Sequence, residues 1–175
     1  MNAASTVNTP AGEGLAARVA KLAQVLSSPH FATADRIALK RYSPVKAPPL
    51  AFYRTWLRHL GDDLPNEAEI RSWALIAWGL AFMGPQAHRR DRALGAALAA
   101  SGYSEARLER LLAAEAEARI DLFASLVRFL ANKSESFDWV DAARLLLTRD
   151  PERLEAAYRR IAVAYYRHPS SHKEV

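Results

Sequence analysis

The chain contains no cysteine. Disulfides and thiolate metal sites are therefore excluded, and a reducing cytoplasm is the expected setting. Glycine is scarce, seven in 175 residues, which leaves no glycine-rich loop to cradle a phosphate. β-Branched residues are few, while alanine, leucine and arginine dominate, so helix is favoured throughout. Long apolar runs are missing. The longest, Trp73 to Gly84, is about half of what a bilayer span needs and reads as a buried helix, so no membrane partner is expected. The opening MNAASTVNTPAGEG is polar and lacks the apolar region of a signal peptide, so residues 1–14 are expected to be a disordered tail.

Acidic residues are absent from one stretch. Residues 36–60 carry six cations (Arg36, Lys40, Arg41, Lys46, Arg54 and Arg58) and no acid, whereas residues 61–88 carry four acids against one arginine. The net charge of +5 is modest. Its segregation suggests a polyanion partner, against the plainer alternative of a solvated basic face.

The apolar spacing predicts seven to nine helices in an all-α bundle of two small lobes, one domain over 15–168, with a lobe boundary near 85–103 and a tail at 169–175. The first helix runs Leu15–Leu26 and stops at Ser28-Pro29. The second starts at Thr33, which can cap it, and places Arg36 and Lys40 on one face. SPVKAPP, residues 43–49, is a loop. The next helix restarts near Pro49 with Tyr53, Trp56, Leu57 and Leu60 buried and Arg54 with Arg58 turned outward. Glu67–Met83 is apolar nearly all round and reads as the central helix. GPQAHRRDR, residues 84–92, is a second basic cluster on a loop that can reach a groove or stay solvated. Ala93–Ala100 is an alanine-rich helix whose small residues let another backbone approach, closed by Ser101-Gly102. Ser104 caps a helix with Leu108, Leu111 and Leu112 inward and Arg107 and Arg110 outward. Whether one helix or two cross Ala113–Ala118 stays open. Asp138 and Asp150-Pro151 start the last two helices, the final one burying Leu154, Tyr158, Ile161, Val163, Ala164 and Tyr165.

Catalytic constellations are missing. The five histidines are scattered, His168 and His172 are separated by Pro169, and no HExxH, GxxxxGK[ST] or GxSxG occurs. Asp62 and Asp63 lie in a turn without a third ligand at usable spacing. No enzyme activity, metal or cofactor is expected; a hydrolase would have to depend on an acid such as Asp62. Zinc-finger, helix-turn-helix and strand-borne RNA-reading motifs are absent too, which points the cations toward phosphate backbone, not base edges.

Three segments resemble a known family. LKRYSPVKAPPLAFYRTW (39–56), ALGAALAASGYSEARLERLL (93–112) and FDWVDAARLLL (137–147) look, in order and spacing, like the small subunit of the type I-E Cascade complex of CRISPR interference, the CasB family. The resemblance covers about residues 36–165. It implies an all-helical, non-catalytic subunit, two copies of which sit head-to-tail in a crRNA-containing complex, beside the guide–target duplex. Such a subunit holds the backbone of the displaced single DNA strand and keeps the R-loop open in antiviral defence. The resemblance assigns backbone contacts to Lys40, Arg41 and Arg54 and to Arg107, Arg128 and Arg144; Arg58, four residues from Arg54 on the same helix, is a candidate from the helix pattern. Arg89, Arg90 and Arg119, with Arg71, Arg149 and Arg153, are further candidates that align more loosely. Ala96, Ala113 and Ala116 stand where the family pattern has basic residues. Arg144 has an alternative structural use, pairing with Asp141. Judged without the resemblance, the competing reading is a helical protein–protein scaffold whose basic surface meets an acidic partner.

Overall fold

The computed structural model describes residues 11–172, in which every long element is a helix. In chain order these are α1 (Ala11–Ser27), α2 (Thr33–Arg41), α3 (Leu50–His59), α4 (Glu67–Met83), α5 (Leu94–Ala100), α6 (Glu105–Ala113), α7 (Ala116–Asn132), α8 (Trp139–Leu147) and α9 (Pro151–Arg167), followed by a 3₁₀ turn, Pro169–His172. The expected all-α bundle forms. Most of the tail expected at 1–14 lies outside the described residues, as does 173–175; helix already begins at Ala11.

α4 is the axis. Its residues Ser72–Ala81 are all buried, and it packs against α1, α2, α7 and α8. Asn66 starts it by accepting the Ala68 N–H (3.1 Å), and Glu67 and Glu69 in the first turn suit the positive end of the helix dipole. It ends where Gly84 takes φ 91°, a left-handed value that glycine adopts without strain. The buried apolar side chains form one cluster from Val19 to Tyr165, drawn from both sides of residues 85–103.

The small residues of α5 do let a backbone in. A Cβ on Gly95 would run into the Ile161 carbonyl oxygen of α9 and stand 2.7 Å from the Tyr165 nitrogen. Asp141, on α8, ties this pair down. Its carboxylate accepts the Leu94 N–H at the first turn of α5 (3.0 Å), and Arg160 of α9 stands 3.0 Å from its other oxygen. Burial pushes the Asp141 carboxyl above its usual range, against the opposing pull of the Leu94 N–H and the Arg160 charge. Arg144 reaches the same carboxylate at 3.6 Å, so this candidate contact residue is engaged in the structural pairing.

Two helices, not one, cross residues 113–118, and the break explains Arg119. At Ala114 the backbone turns extended, which frees its carbonyl. Arg119 donates to that oxygen (2.6 Å) and to the Tyr158 hydroxyl (2.5 Å), with its guanidinium over the Tyr158 ring. Arg119 is 8% exposed, so the expectation that it faces a strand is corrected.

Four smaller expectations also shift. On α3 the buried side is Ala51, Phe52, Thr55 and Trp56, while Leu57 is 47% exposed; the stripe is rotated by about one residue. On α9 Val163 faces out. Thr33 is the first helical residue, not the cap, and Ser104, though at the cap position, makes no side-chain capping bond.

Gly95→Ala tests the α5–α9 contact. Alanine for glycine inside a helix ordinarily stabilises by about 1 kcal/mol. Here the collision with backbone reverses the sign, and a loss of about 1–3 kcal/mol is expected in urea denaturation. Asp141→Ala is expected to lose about 1–3 kcal/mol by stranding the Leu94 N–H. Because the folded protein binds the Asp141 proton more readily than the unfolded chain, this group's ionisation erodes stability as pH rises through its raised pKa. Replacing it should therefore remove a contribution that favours the fold at acid pH.

Candidate nucleic-acid interface

The basic block of residues 36–60 is sorted by the packing of α1, α2 and α3. Arg36, its first cation, turns inward. It donates to the Leu26 and Ser28 carbonyls at the end of α1 (2.5 and 2.7 Å) and lies over the Phe31 ring, 5.4 Å from its centre. α1 has no basic residue of its own in its last turn, and Arg36 supplies the missing donor from the next helix.

Arg54 is also committed. Its Nη2 donates to Asp35 Oδ1 at 2.5 Å and its Nε stands 3.2 Å from both carboxylate oxygens. Asp35 is 7% exposed, and the Arg54 hydrogen bonds hold its carboxyl below the usual carboxylate range. The Arg54 side chain keeps 41% of its surface open, so it remains accessible as a partly neutralised cation. The pair crosses from the first turn of α2 to the middle of α3 and fixes the two helices side by side.

Four cations of the block remain, one of them Lys46, exposed on the connection between α2 and α3. Lys40 and Arg41 end α2, and Arg58 lies in the last turn of α3; all three are exposed and form no salt bridge among the described residues. Asp35 also lines one cleft with Arg58 and His59, which sets the end of α3 beside the start of α2. Lys40 and Arg41 therefore lie about 8 Å further along α2, at 1.5 Å rise per residue.

The 84–92 segment is held, not loose. It pairs with the segment before α8 through a parallel bridge of His88 with Phe137, with Arg89 N–H donating to the Phe137 carbonyl at 3.0 Å and Asp138 N–H to the Arg92 carbonyl at 2.7 Å. Arg89 closes on Asp91 (2.8 Å) and Arg92 on Glu135 (2.8 Å). His88 accepts the Trp139 N–H at Nδ1 (3.2 Å), and burial pushes its imidazole below the usual value. Arg90 alone of this segment's arginines is exposed with no salt bridge among the described residues. It lines a cleft of about 570 Å³ together with His88, Pro85 and, from α1, Lys21, Gln24 and Ser27.

Two later arginines lie across ring faces. Arg107 stands 5.9 Å from the centres of Tyr103 and Phe129, and Arg128 stands 5.0 Å from that of Trp78. Both remain exposed. A ring under a guanidinium restricts it without neutralising it, which leaves it competent to meet a phosphate. Arg71 pairs with Glu117 (2.7 Å), and Arg149 donates to the Ala68 carbonyl (2.5 Å).

The structure thus brings Lys40, Arg41 and Arg58 to one helix pair and sets Arg90 opposite Lys21. It leaves Arg107 and Arg128 exposed over rings, engages Arg54, Arg89 and Arg144 with carboxylates, and withdraws Arg119. Lys21 was not among the sequence candidates. It lies on an otherwise ordinary amphipathic helix whose other cation, Arg18, lies over the Trp56 ring, and its partner across the cleft is 69 positions away. Asp62 and Asp63 are exposed turn residues, the Asp63 carbonyl receiving the Trp56 indole N–H at 3.0 Å. Among the described residues no group of three or more histidine or acidic side chains is placed to hold a metal ion, and no helix is long and apolar enough to cross a membrane.

Residues 35–166 match the model of a protein family described as CRISPR-associated protein Cse2. No curated protein and no solved structure matches the chain.

The sorting of cations has a measurable signature. Asp35→Ala should lower stability by about 1–2 kcal/mol, since Arg54 can regain water through its open side. Arg58→Ala should stay within about 0.5 kcal/mol of the parent. The folded pKa of Asp35 is depressed, so its contribution is present above the unfolded value and is lost as pH falls through the folded one. Acid titration of unfolding should accordingly show a shallower low-pH loss in Asp35→Ala than in the parent.

Proposed function

The chain belongs to the Cse2 family of CRISPR-associated proteins, the small subunits of type I-E Cascade, and from that premise we propose that it is a non-catalytic clamp on nucleic-acid backbone that stabilises the displaced DNA strand of an R-loop. The observation that carries this reading is a group of exposed cations that form no salt bridge among the described residues, Lys40, Arg41, Arg58 and Arg90 among them, joined by the ring-backed Arg107 and Arg128. They stand on packed helices and on a segment pinned by backbone hydrogen bonds. Fixed cations of this kind neutralise phosphates and position a strand without reading its sequence. In an RNA-guided complex base pairing supplies the sequence specificity, and such a subunit supplies grip.

Its partners on this reading are the crRNA-containing Cascade subunits, the guide–target duplex with the displaced strand, and a second copy arranged head-to-tail. Val45 and Leu50 are 62% and 76% exposed at the α2–α3 connection, apolar surface of the kind that protein neighbours cover. The reading assigns the protein no reaction of its own, and no cofactor or metal.

Salt dependence tests the clamp. Binding of the full chain to a labelled single strand should weaken by about 0.7 log units per log unit of salt for each phosphate neutralised. Arg58→Ala and Arg90→Ala should each reduce that slope by roughly this amount. Arg54→Ala should reduce it less, because Asp35 already balances the charge. A slope unchanged by Arg58→Ala and by Lys40→Ala/Arg41→Ala together would place the strand on another face. Competition by an acidic protein but not by nucleic acid would favour the scaffold reading.

A further inference from the structure

We propose that the cleft between the end of α1, the start of α2 and the end of α3 receives a single unstacked nucleobase from the bound strand. The proposal rests on the strand-binding reading and adds a contact that backbone clamping does not require. The cleft holds about 450 Å³, and its lining includes Gln24, His30, Asp35, Thr55, Arg58 and His59. That volume falls within the range of small-ligand sites, about 300–1,000 Å³.

Its chemistry selects the occupant. Thr55 is 3% exposed, and its hydroxyl has no hydrogen-bond partner among the described residues. A threonine inside a helix commonly returns its hydroxyl to the carbonyl one turn back. This one does not, and it lines the cleft. Beside it Asp35 is buried and held by Arg54. Its Oδ2 receives a single bond from Arg54, at 3.2 Å, so the oxygen can accept another. A fixed acceptor next to a hydroxyl that can donate or accept matches the edge of a heteroaromatic base carrying an N–H beside a ring acceptor. An anion would meet the Asp35 charge, and an aliphatic ligand would leave the Thr55 hydroxyl unmet. The exposed His30 and His59 imidazoles offer flat faces for stacking, the usual way a protein holds a splayed base.

The surroundings continue the path. Arg58 is exposed at the rim, where the phosphate attached to an inserted base would lie. Gln24 belongs both to this cleft and to the neighbouring one that carries Lys21 and Arg90. A strand leaving the base site therefore passes directly onto further cations.

The test pairs two proteins with two strands. The full chain and its Thr55→Val variant, which keeps the shape and removes the hydroxyl, are titrated with labelled single strands of equal length, one intact and one with the bases removed over its central nucleotides. Base–aromatic stacking and base-edge bonds together predict about tenfold weaker binding of the baseless strand by the parent. Thr55→Val should weaken the intact strand several-fold, leave the baseless strand unchanged, and leave both salt slopes as they were. His59→Ala, an exposed position, should repeat this selectivity and covers the case in which Thr55→Val folds poorly. Equal binding of the two strands by the parent, or equal loss for both strands in the variants, overturns the base site while leaving the clamp standing. Failure of the parent to bind either strand at low salt overturns the clamp, and the base site with it.

Discussion

The arrangement depends on how Trp139 fits against Gly79. The indole is fully buried, and any Cβ on Gly79 would collide with its ring. Phe137 stacks on it with ring centres 4.8 Å apart, and Phe123 meets it edge-on at 6.1 Å. Its Nε1–H donates to the Ala87 carbonyl and its backbone N–H to His88, each at 3.2 Å. One side chain thus joins α4, α7 and α8 to the 84–92 segment. Truncating a buried aromatic of this size typically costs on the order of 3–5 kcal/mol. The backbone beneath Arg90, which forms no salt bridge among the described residues, is fixed from this side at the cleft edge.

Arginine does two kinds of work in this protein, and the difference lies in what each guanidinium meets. Arg36 and Arg119 meet carbonyls at helix ends, where a planar fork can satisfy an acceptor that the helix leaves open. Arg54, Arg89 and Arg144 meet carboxylates. Arg58 and Arg90 form no salt bridge among the described residues, while Arg107 and Arg128 lie across aromatic faces. A net charge of +5 therefore says little about the field a strand would feel. The exposed and unpaired subset matters, and it is smaller than the number of arginines suggests.

Local signals were legible in the sequence. Asp138 and Asp150 cap α8 and α9 by accepting the Val140 and Arg153 N–H groups, and the glycine of α5 does admit another helix. What failed to show was long-range. Ala113–Ala118 are good helix formers throughout, and the break at Ala114 is stabilised by Arg119 and Tyr158, the latter 39 residues away. Arg54 looked free because Asp35 lies 19 residues upstream on another helix. On α3 the apolar pairs Phe52/Trp56 and Tyr53/Leu57 share the same period, so spacing could not choose between adjacent faces. The base-sized cleft had no sequence signature, because its walls come from three helices and its telling atom is one unpaired hydroxyl.

The burial of Arg119 beneath Tyr158 bears on how genetics would read this surface. Replacing arginines singly and scoring defence in cells would return losses that look alike but arise differently. On the proposed clamp reading, at Arg58 or Arg90 the protein would be made in full and hold its strand poorly. At Arg119 the opened end of α6 would lower the steady-state amount of folded chain through quality control, with no contact to the strand involved. Measuring abundance alongside phenotype separates the two, and without it a helix-capping residue would be entered on the map as a binding one.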